Sequence, residues 1–213
     1  MENILVAGAN GSTGKKVVNL LKSSQYFNPI AMVRKEEQQK QFETEGIDVV
    51  LADLTKDLTS AVKDVDKVVF AAGSGGENVV EVDQEGAKRL MAVSKMANVK
   101  RFVMLSSMGA DHPEKADELK AYLQAKHNAD EHLKESGLKY TIVRPGTLND
   151  SEGNSRIELK EKLNKRGEIS RADVAQTLVK SLHDDAPYNV TFEILEGDTL
   201  IGEAMTNLNA NVI

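Results

Sequence analysis

The sequence contains no cysteine and no tryptophan, and only 4% of its 213 residues are aromatic. Without cysteine there are no disulfides, thiolate zinc sites, iron–sulfur clusters or thiol nucleophile, so any metal site would need histidines and carboxylates. No run approaches the roughly 18 consecutive apolar residues that a membrane helix needs. We therefore expect neither covalent cross-links nor a membrane partner.

Negative side chains outnumber positive ones, since the sequence has 33 Asp and Glu residues but 27 Lys and Arg residues, and the net charge is −6. Proteins that grip phosphate backbones normally carry clustered surplus cations, so we expect no nucleic-acid partner. The amino terminus shows no basic leader followed by an apolar segment and a cleavage site, which favours a cytoplasmic location. Hydrophobic residues make up 40% of the chain, as in ordinary globular proteins.

Short apolar runs alternate with longer helix-period segments. The predicted strands are Ile4 to Ala7, Ile30 to Val33, Val49 to Leu51, Val68 to Ala72, Phe102 to Leu105, Tyr140 to Val143 and Val190 to Leu195. The predicted helices are Thr13 to Lys22, Val82 to Ala97, Lys115 to Ser136 and Arg171 to His183. Continuous apolar strands, each followed by a helix, are typical of a parallel sheet covered on both faces. The pattern predicts a doubly wound, mainly parallel α/β sheet, the Rossmann fold.

One domain accounts for residues 1–213, since no linker, repeat or low-complexity tract divides the chain. Residues 147–170 are polar and contain glycines, which is typical of a surface loop or lid. Ser170 is a good N-cap for the helix that follows it, and residues 171–213 are expected to complete the fold. Only about a third of the chain follows Arg144, so any carboxyl-terminal substrate region is small.

The first predicted strand runs directly into a glycine-rich loop with the spacing G-x-x-G-x-x-G. Gly8 permits a tight turn, Gly11 lets the backbone approach a pyrophosphate, and Gly14 lets the helix pack closely on the strand. Amides at the start of the new helix can hold phosphates. A glycine triplet also occurs in plain turns, but the strand before it and the helix after it favour dinucleotide binding. The predicted contacts are Gly8, Asn10, Gly11, Ser12, Thr13 and Gly14.

The end of the second strand bears on the choice of cofactor. An acidic residue there would bind the ribose hydroxyls of NAD, whereas this chain has Arg34, whose fork of donors suits a 2′-phosphate. A solvated arginine at a helix start is the alternative, but the position favours NADP over NAD. Asp53, beyond the third strand, is predicted either to contact the adenine amino group or to cap the next turn, with Leu54 as its apolar anchor.

Further along the chain, several short motifs occur in a fixed order. They are Asp53-Leu54, Ala71-Ala72-Gly73, Val82-Asp83 with Gly86-Ala87, Leu105-Ser106-Ser107, Tyr122 to Lys126, Tyr140 to Gly146, and Ser170 to Ala175. Together with the glycine loop, this series resembles the short-chain dehydrogenase/reductase superfamily. It is most similar to the atypical NAD(P)H-binding branch, which includes NmrA-like regulators and flavin reductase relatives. The resemblance covers nearly the whole chain.

The resemblance implies a catalytic group of Ser107, Tyr122 and Lys126. Tyr122 would protonate a carbonyl oxygen, Lys126 would also bind the nicotinamide ribose, and a serine would orient the carbonyl. Ser106 and Ser107 alternate in direction along the strand, and we prefer Ser107 for the carbonyl and assign Ser106 to the cofactor. The remaining implied cofactor contacts are Asp53, Leu54, Ala71, Ala72, Gly73, Pro145 and Gly146.

These features favour an NADP-dependent oxidoreductase that transfers hydride between nicotinamide and a small carbonyl or conjugated acceptor. The alternative is a non-catalytic NADP(H)-binding redox sensor that acts through a protein partner, and a homodimer is compatible with either. Nucleotide-sugar epimerisation is a third hypothesis, although it usually needs a larger carboxyl-terminal region. Neither a histidine spacing suited to a metal nor a G-x-S-x-G hydrolase motif is present, so no metal is expected.

Overall fold

A computed structural model describes residues 1–116 and 118–210, without the side chains of 209 and 210. The predicted single domain, 1–213, therefore includes four positions outside the described residues. The strands are β1 (Glu2–Ala7), β2 (Phe27–Val33), β3 (Asp48–Leu51), β4 (Lys67–Phe70), β5 (Arg101–Leu105), β6 (Tyr140–Pro145), β7 (Thr147–Asn149), β8 (Arg156–Lys160), β9 (Glu168–Ser170), β10 (Val190–Glu196) and β11 (Thr199–Leu200). The helices are α1 (Ser12–Lys22), α2 (Glu36–Thr44), α3 (Ala87–Met96), α4 (Lys120–Glu135), α5 (Arg171–Lys180) and α6 (Ile201–Ala210).

A nine-stranded sheet with the order β11-β8-β10-β6-β5-β4-β1-β2-β3 forms the centre of the fold. The seven strands from β10 to β3 pair in parallel, which confirms the predicted doubly wound architecture. Strands β4 and β5 are buried along their whole length, as their continuous apolar runs indicated. The carboxyl ends of these strands share one edge, where open α/β sheets bind ligands.

Two hydrophobic layers cover the sheet. One contains the apolar faces of α1, α5 and α6, and the other contains those of α3 and α4. The helix that carries Tyr122 and Lys126 is therefore on the opposite face from the helix that follows the glycine loop. Among the residues described, no helix is both long and apolar enough to cross a membrane.

The segment 147–170 differs from the predicted loop or lid. Its strand β8 joins the main sheet antiparallel to β10, and β7 and β9 form a separate two-stranded parallel sheet. Because β8 alternates apolar and charged residues and only Ile157 is fully buried, its sequence lacks the continuous apolar run by which the inner strands are found.

Two predicted helices also begin differently. The segment predicted as Val82 to Ala97 is a π-helix at Val79–Gly86 that continues into α3. The segment predicted as Lys115 to Ser136 opens with a 3₁₀ turn at Pro113–Lys115, and α4 itself starts at Lys120. The π-helix carries Asp83, which pairs with Lys126.

The predicted N-cap of α5 is confirmed. Ser170 Oγ accepts a hydrogen bond of 2.9 Å from the Asp173 amide and donates one of 2.8 Å to the Asp173 carboxylate. Asp173 also accepts from the Ser155 amide at 2.7 Å, so this cap fixes the strand-rich segment 147–170 to the helix that follows it.

Candidate functional site

The glycine loop joins β1 to α1 in a conformation that needs glycine. Gly8 has a φ of +86°, and a Cβ at this position would lie 2.6 Å from Ala72 Cα. A Cβ at Gly14 would collide with the Gly8 carbonyl oxygen, and the Gly11 amide donates to that same oxygen at 2.9 Å. The loop thus packs against the end of β4 as closely as backbone allows.

The start of α1 fits the phosphates of a dinucleotide. Gly11 is its N-cap, no side chain caps the first turn, and no acidic residue lies in that turn. Gly11 and Ser12 are exposed, whereas Thr13 and Gly14 are buried behind them. The helix therefore presents backbone donors and the positive end of its dipole without a competing carboxylate, as an anion site requires.

Arg34 and Asp53 lie at the ends of the paired strands β2 and β3. Arg34 is exposed, and its positive charge helps to lower the pKa of Asp53. The main cause of that lowering is the Thr55 amide, which donates to Asp53 Oδ1 at 2.8 Å. The capping role of Asp53 is therefore present, and Arg34 lies exposed beyond the end of β2.

Glycines also set the packing around the other sequence motifs. A Cβ at Gly86 would lie 2.8 Å from Leu54 Cβ, so this glycine lets the π-helix approach the end of β3. A Cβ at Gly146 would collide with the side chain of Leu195. Pro145 is the buried last residue of β6, and Gly73 is exposed three residues after the end of β4.

Tyr122 and Lys126 lie one helical turn apart on α4. Lys126 is 3% exposed, and its Nζ lies 5.6 Å from the centroid of the Tyr122 ring. The same ammonium donates to the Leu105 carbonyl oxygen at 3.3 Å and lies 3.5 Å from Asp83 Oδ1. Tyr122 is half-buried. The structure thus brings the two residues together beside the end of β5, with the cation deeper and the phenol nearer to solvent.

The two serines after β5 have different environments. Ser107 is half-buried, and its hydroxyl donates to the neighbouring Met108 carbonyl at 3.2 Å. Ser106 is buried, and its hydroxyl donates to Asp130 Oδ2 at 2.8 Å. The Ser106 hydroxyl is therefore held in the core beneath α4, and the cofactor contact of this residue stays a prediction. Adjacent residues point to opposite sides, and here Ser107 is the residue left available.

Arg144 completes that buried group. Its Nε and one terminal nitrogen donate to Asp130 Oδ2 at 3.0 and 2.8 Å. Burial of Asp130 raises the pKa of its carboxyl group, which the Arg144 charge opposes. Asp130 is one turn beyond Lys126 on α4, so the Arg144 pair secures the helix that presents Tyr122 and Lys126.

Asp83 is the residue at the site to which sequence reasoning gave no role. It is 1% exposed, it pairs with Lys126, and its Oδ2 accepts from the Ser74 amide at 3.0 Å. A motif containing Asp83 was visible in the sequence, but 43 positions separate it from Lys126, and only the π-helix turns its carboxylate toward α4. Within residues 1–116 and 118–210, no cluster of acidic and histidine side chains has the arrangement of a metal site.

This fold and its glycine-loop edge define a dinucleotide-binding Rossmann protein. The profile of the NAD(P)H-binding family matches residues 8–185. The chain belongs to this family, which confirms the resemblance to the atypical NAD(P)H-binding branch.

Three similar proteins illustrate the range of the family. An uncharacterised sugar epimerase of Bacillus subtilis, YhfK, is 40% identical over 96% of this chain and 99% of its own. The structure of a putative NAD-dependent epimerase/dehydratase from Bacillus halodurans superposes with a TM-score of 0.93 at 35% identity, covering 98% of this chain and 100% of that one. Sanguinarine reductase of Eschscholzia californica is 27% identical over 97% of this chain and 93% of its own. The relatives thus include proteins named as epimerases and as a reductase.

Proposed function

We propose that this protein is an NADP-dependent oxidoreductase that transfers hydride between nicotinamide and a small carbonyl or conjugated acceptor. The observation that carries the proposal is the placement of Tyr122 and Lys126 on α4, where the Lys126 ammonium donates to the carbonyl oxygen of Leu105 at the end of β5. The buried Lys126 ammonium, 5.6 Å from the centroid of the Tyr122 ring, is the positive charge that stabilises the proposed proton transfer. The reductase among the relatives supports the same chemistry.

In the proposed reaction, the bound dinucleotide supplies the hydride. The Ser107 hydroxyl orients the acceptor carbonyl, and Tyr122 donates its phenolic proton to the carbonyl oxygen as the carbon–oxygen double bond becomes a single bond. Lys126 stabilises the negative charge left on the phenol oxygen, which then regains a proton from solvent. The product is an alcohol, and the proton that it gains comes from Tyr122.

The proposal is tested by following NADPH oxidation with a panel of ketones, aldehydes, quinones and flavins. We expect turnover with at least one acceptor class, and a loss of roughly a hundredfold or more in Tyr122→Phe, within the range attributed to general acid catalysis. Tyr26→Phe, at an exposed tyrosine on the opposite edge of the sheet, serves as the matched control. NADPH binding without turnover, unchanged in Tyr122→Phe, would instead support the redox-sensor alternative.

The names of two relatives favour epimerisation as a second candidate. An epimerase removes a hydride from its substrate and returns it, so it consumes no net cofactor. Incubation of nucleotide sugars with catalytic amounts of NAD or NADP distinguishes the two candidates. A change in sugar configuration by NMR, with no net change in the reduced cofactor, would identify the epimerase.

A further inference from the structure

A buried carboxylate on the central sheet takes its countercharge from a residue outside the sheet. Glu193, on β10, is 1% exposed, and its Oε1 lies 3.0 Å from the Nζ of Lys162, in the connection between β8 and β9. The other carboxylate oxygen, Oε2, accepts from the Leu163 amide at 2.7 Å. An unpaired buried charge is costly, so these two contacts hold the connection 161–167 against the sheet.

Lys162 supplies this charge although a buried arginine lies on the neighbouring strand. Glu193 stands opposite Arg144 in the register of β10 and β6. The Arg144 guanidinium is used elsewhere, because it donates to Asp130 on α4. Among the described residues, Lys162 is the cation that forms an ion pair with Glu193.

The same ammonium also contacts the loop that carries Ser107. Lys162 Nζ donates to Asp111 Oδ2, and Asp111 lies with Ser107 in residues 107–112, here called the Ser107 loop. The bridge Asp111–Lys162–Glu193 therefore joins this loop to the central sheet through one lysine side chain.

The Ser107 loop has a second attachment, to the helix that carries Tyr122. His127 Nδ1, on α4, lies 2.8 Å from the Ala110 carbonyl oxygen, and the imidazole donates because a carbonyl oxygen only accepts. The Ala110 amide in turn donates to the Ser107 carbonyl oxygen at 3.2 Å. The loop is thus fixed to α4 on one side and, through Lys162, to β10 on the other.

We propose that Lys162 is a positioning residue for Ser107, an inference that rests on the proposed function. By holding Asp111, Lys162 sets where the Ser107 hydroxyl lies relative to the Tyr122 phenol. Both hydroxyls must meet one carbonyl oxygen of the acceptor, and a displacement of about 1 Å at such a site lowers the rate strongly.

The first measurement follows the Ser107 loop and needs no turnover. The Ala110 and His112 amides, which donate within the loop at 3.2 and 3.1 Å, are monitored by NMR hydrogen exchange. Lys162→Met and Asp111→Ala should each accelerate their exchange by roughly tenfold, because a hydrogen bond between charged groups is lost from the closed loop. Asp111→Ala keeps the pair between Lys162 and Glu193, so it decides the matter if Lys162→Met does not fold.

The second measurement compares turnover with cofactor binding in the folded variants. With an acceptor that the wild type reduces, Lys162→Met and Asp111→Ala should lower kcat by roughly ten- to a hundredfold and leave the dissociation constant of NADPH unchanged. Lys162→Arg, which keeps the charge, should restore most of this loss. A purely structural role would lower Tm without a selective loss of kcat.

Lys165→Met is the matched control for the loss of the lysine. It removes an ammonium from the same connection, but one that pairs with Glu158 on β8. It should change neither the hydrogen exchange of the Ser107 loop nor kcat.

Unchanged exchange in both Lys162→Met and Asp111→Ala would overturn the anchoring of the loop. Faster exchange with an unchanged kcat would overturn the positioning role. Faster exchange in a protein that reduces no acceptor would support the anchoring while removing the oxidoreductase proposal, and with it the role of Lys162 in catalysis.

Discussion

At the residue scale, the proposed preference for NADP over NAD depends on one exposed cation, Arg34. We expect Arg34→Ala to weaken NADP(H) by roughly ten- to a hundredfold, the range of a charge-assisted hydrogen bond, and to leave NAD(H) nearly unchanged. The reason is that the proposed function assigns Arg34 to the 2′-phosphate, which only NADP(H) carries. Isothermal titration with the four nucleotides measures the difference.

The matched control is Lys40→Ala, which removes an exposed cation on α2, the helix that follows Arg34. It should leave both affinities as they are. If Arg34→Ala weakened NAD(H) and NADP(H) equally, the arginine would be a general electrostatic contact, and the 2′-phosphate assignment would be abandoned.

The glycine loop gives a second prediction for a single residue. Gly14→Ala places a Cβ against the Gly8 carbonyl oxygen, which belongs to backbone and has no room to move. We expect it to destabilise the protein by about 1–3 kcal/mol, as overpacking does, and to abolish dinucleotide binding. Urea unfolding and a binding titration measure the two effects.

Gly202→Ala is the control for this substitution. Gly202 lies in α6, and nothing lies within 4 Å of the position of its Cβ. Since alanine is the better helix former, we expect this variant to stabilise the protein by about 0.5–1 kcal/mol and to bind cofactor normally. Equal effects of the two substitutions would show that the close contact within the loop does not matter.

At the element scale, the buried Asp130–Arg144 pair holds α4 on the sheet. Asp130→Ala should cost about 3–5 kcal/mol of unfolding free energy, because it leaves the Arg144 guanidinium buried without its carboxylate. Ser106→Ala removes one hydrogen bond from the same carboxylate and should cost about 1 kcal/mol. Chemical denaturation of both variants measures the two losses of unfolding free energy. A loss for Asp130→Ala no larger than that for Ser106→Ala would contradict the role of the pair in holding α4.

The elements differ in how far the sequence predicts them, and the reason is physical. The inner parallel strands are buried on both faces, so their continuous apolar runs are visible without any partner. Strand β8 cannot be recognised in this way. Its alternation of charged and apolar residues is short, and its antiparallel pairing with β10 is a long-range contact. The π-helix at Val79–Gly86 is missed because its apolar spacing is that of an ordinary helix start.

In the candidate site, too, local patterns can be predicted from the sequence, whereas long-range contacts cannot. The glycine loop, Arg34 and the Tyr122–Lys126 spacing are local patterns that the sequence displays directly. The difference between Ser106 and Ser107 required knowing which side of β5 faces Asp130. The Asp83–Lys126 pair required the approach of two helices that are distant in the sequence, which no local pattern encodes.

At the scale of the whole molecule, the two edges of the sheet are organised differently. The carboxyl edge carries the exposed glycine loop and segment 73–78, whereas the amino edge is closed by buried cations. Arg101 donates to the carbonyl oxygens of Ser181 and His183 at 2.8 and 2.7 Å, and Lys67 donates to that of Leu182 at 2.8 Å. The turn after α5 is thereby fixed beneath β4 and β5, so the scaffold is secured at the edge away from the site.

This closed edge gives the protein a pH-dependent stability. His183 packs against Phe27, with ring centroids 4.9 Å apart, and burial lowers its pKa below the ordinary value of 6.5. A histidine with a lowered pKa in the folded state is protonated first in the unfolded chain. The contribution of neutral His183 to the free energy of unfolding is therefore complete above pH 6.5. That contribution is lost as the pH falls toward the folded-state pKa.

We accordingly expect the free energy of unfolding to decrease between pH 7.5 and about pH 5, before most carboxylates titrate. His183→Gln should remove much of this decrease, because the glutamine takes up no proton in either state. His132→Gln, at an exposed position on α4, should keep the wild-type slope. Urea unfolding at a series of pH values measures the slopes, and an unchanged slope in His183→Gln would place the pH dependence elsewhere in the molecule.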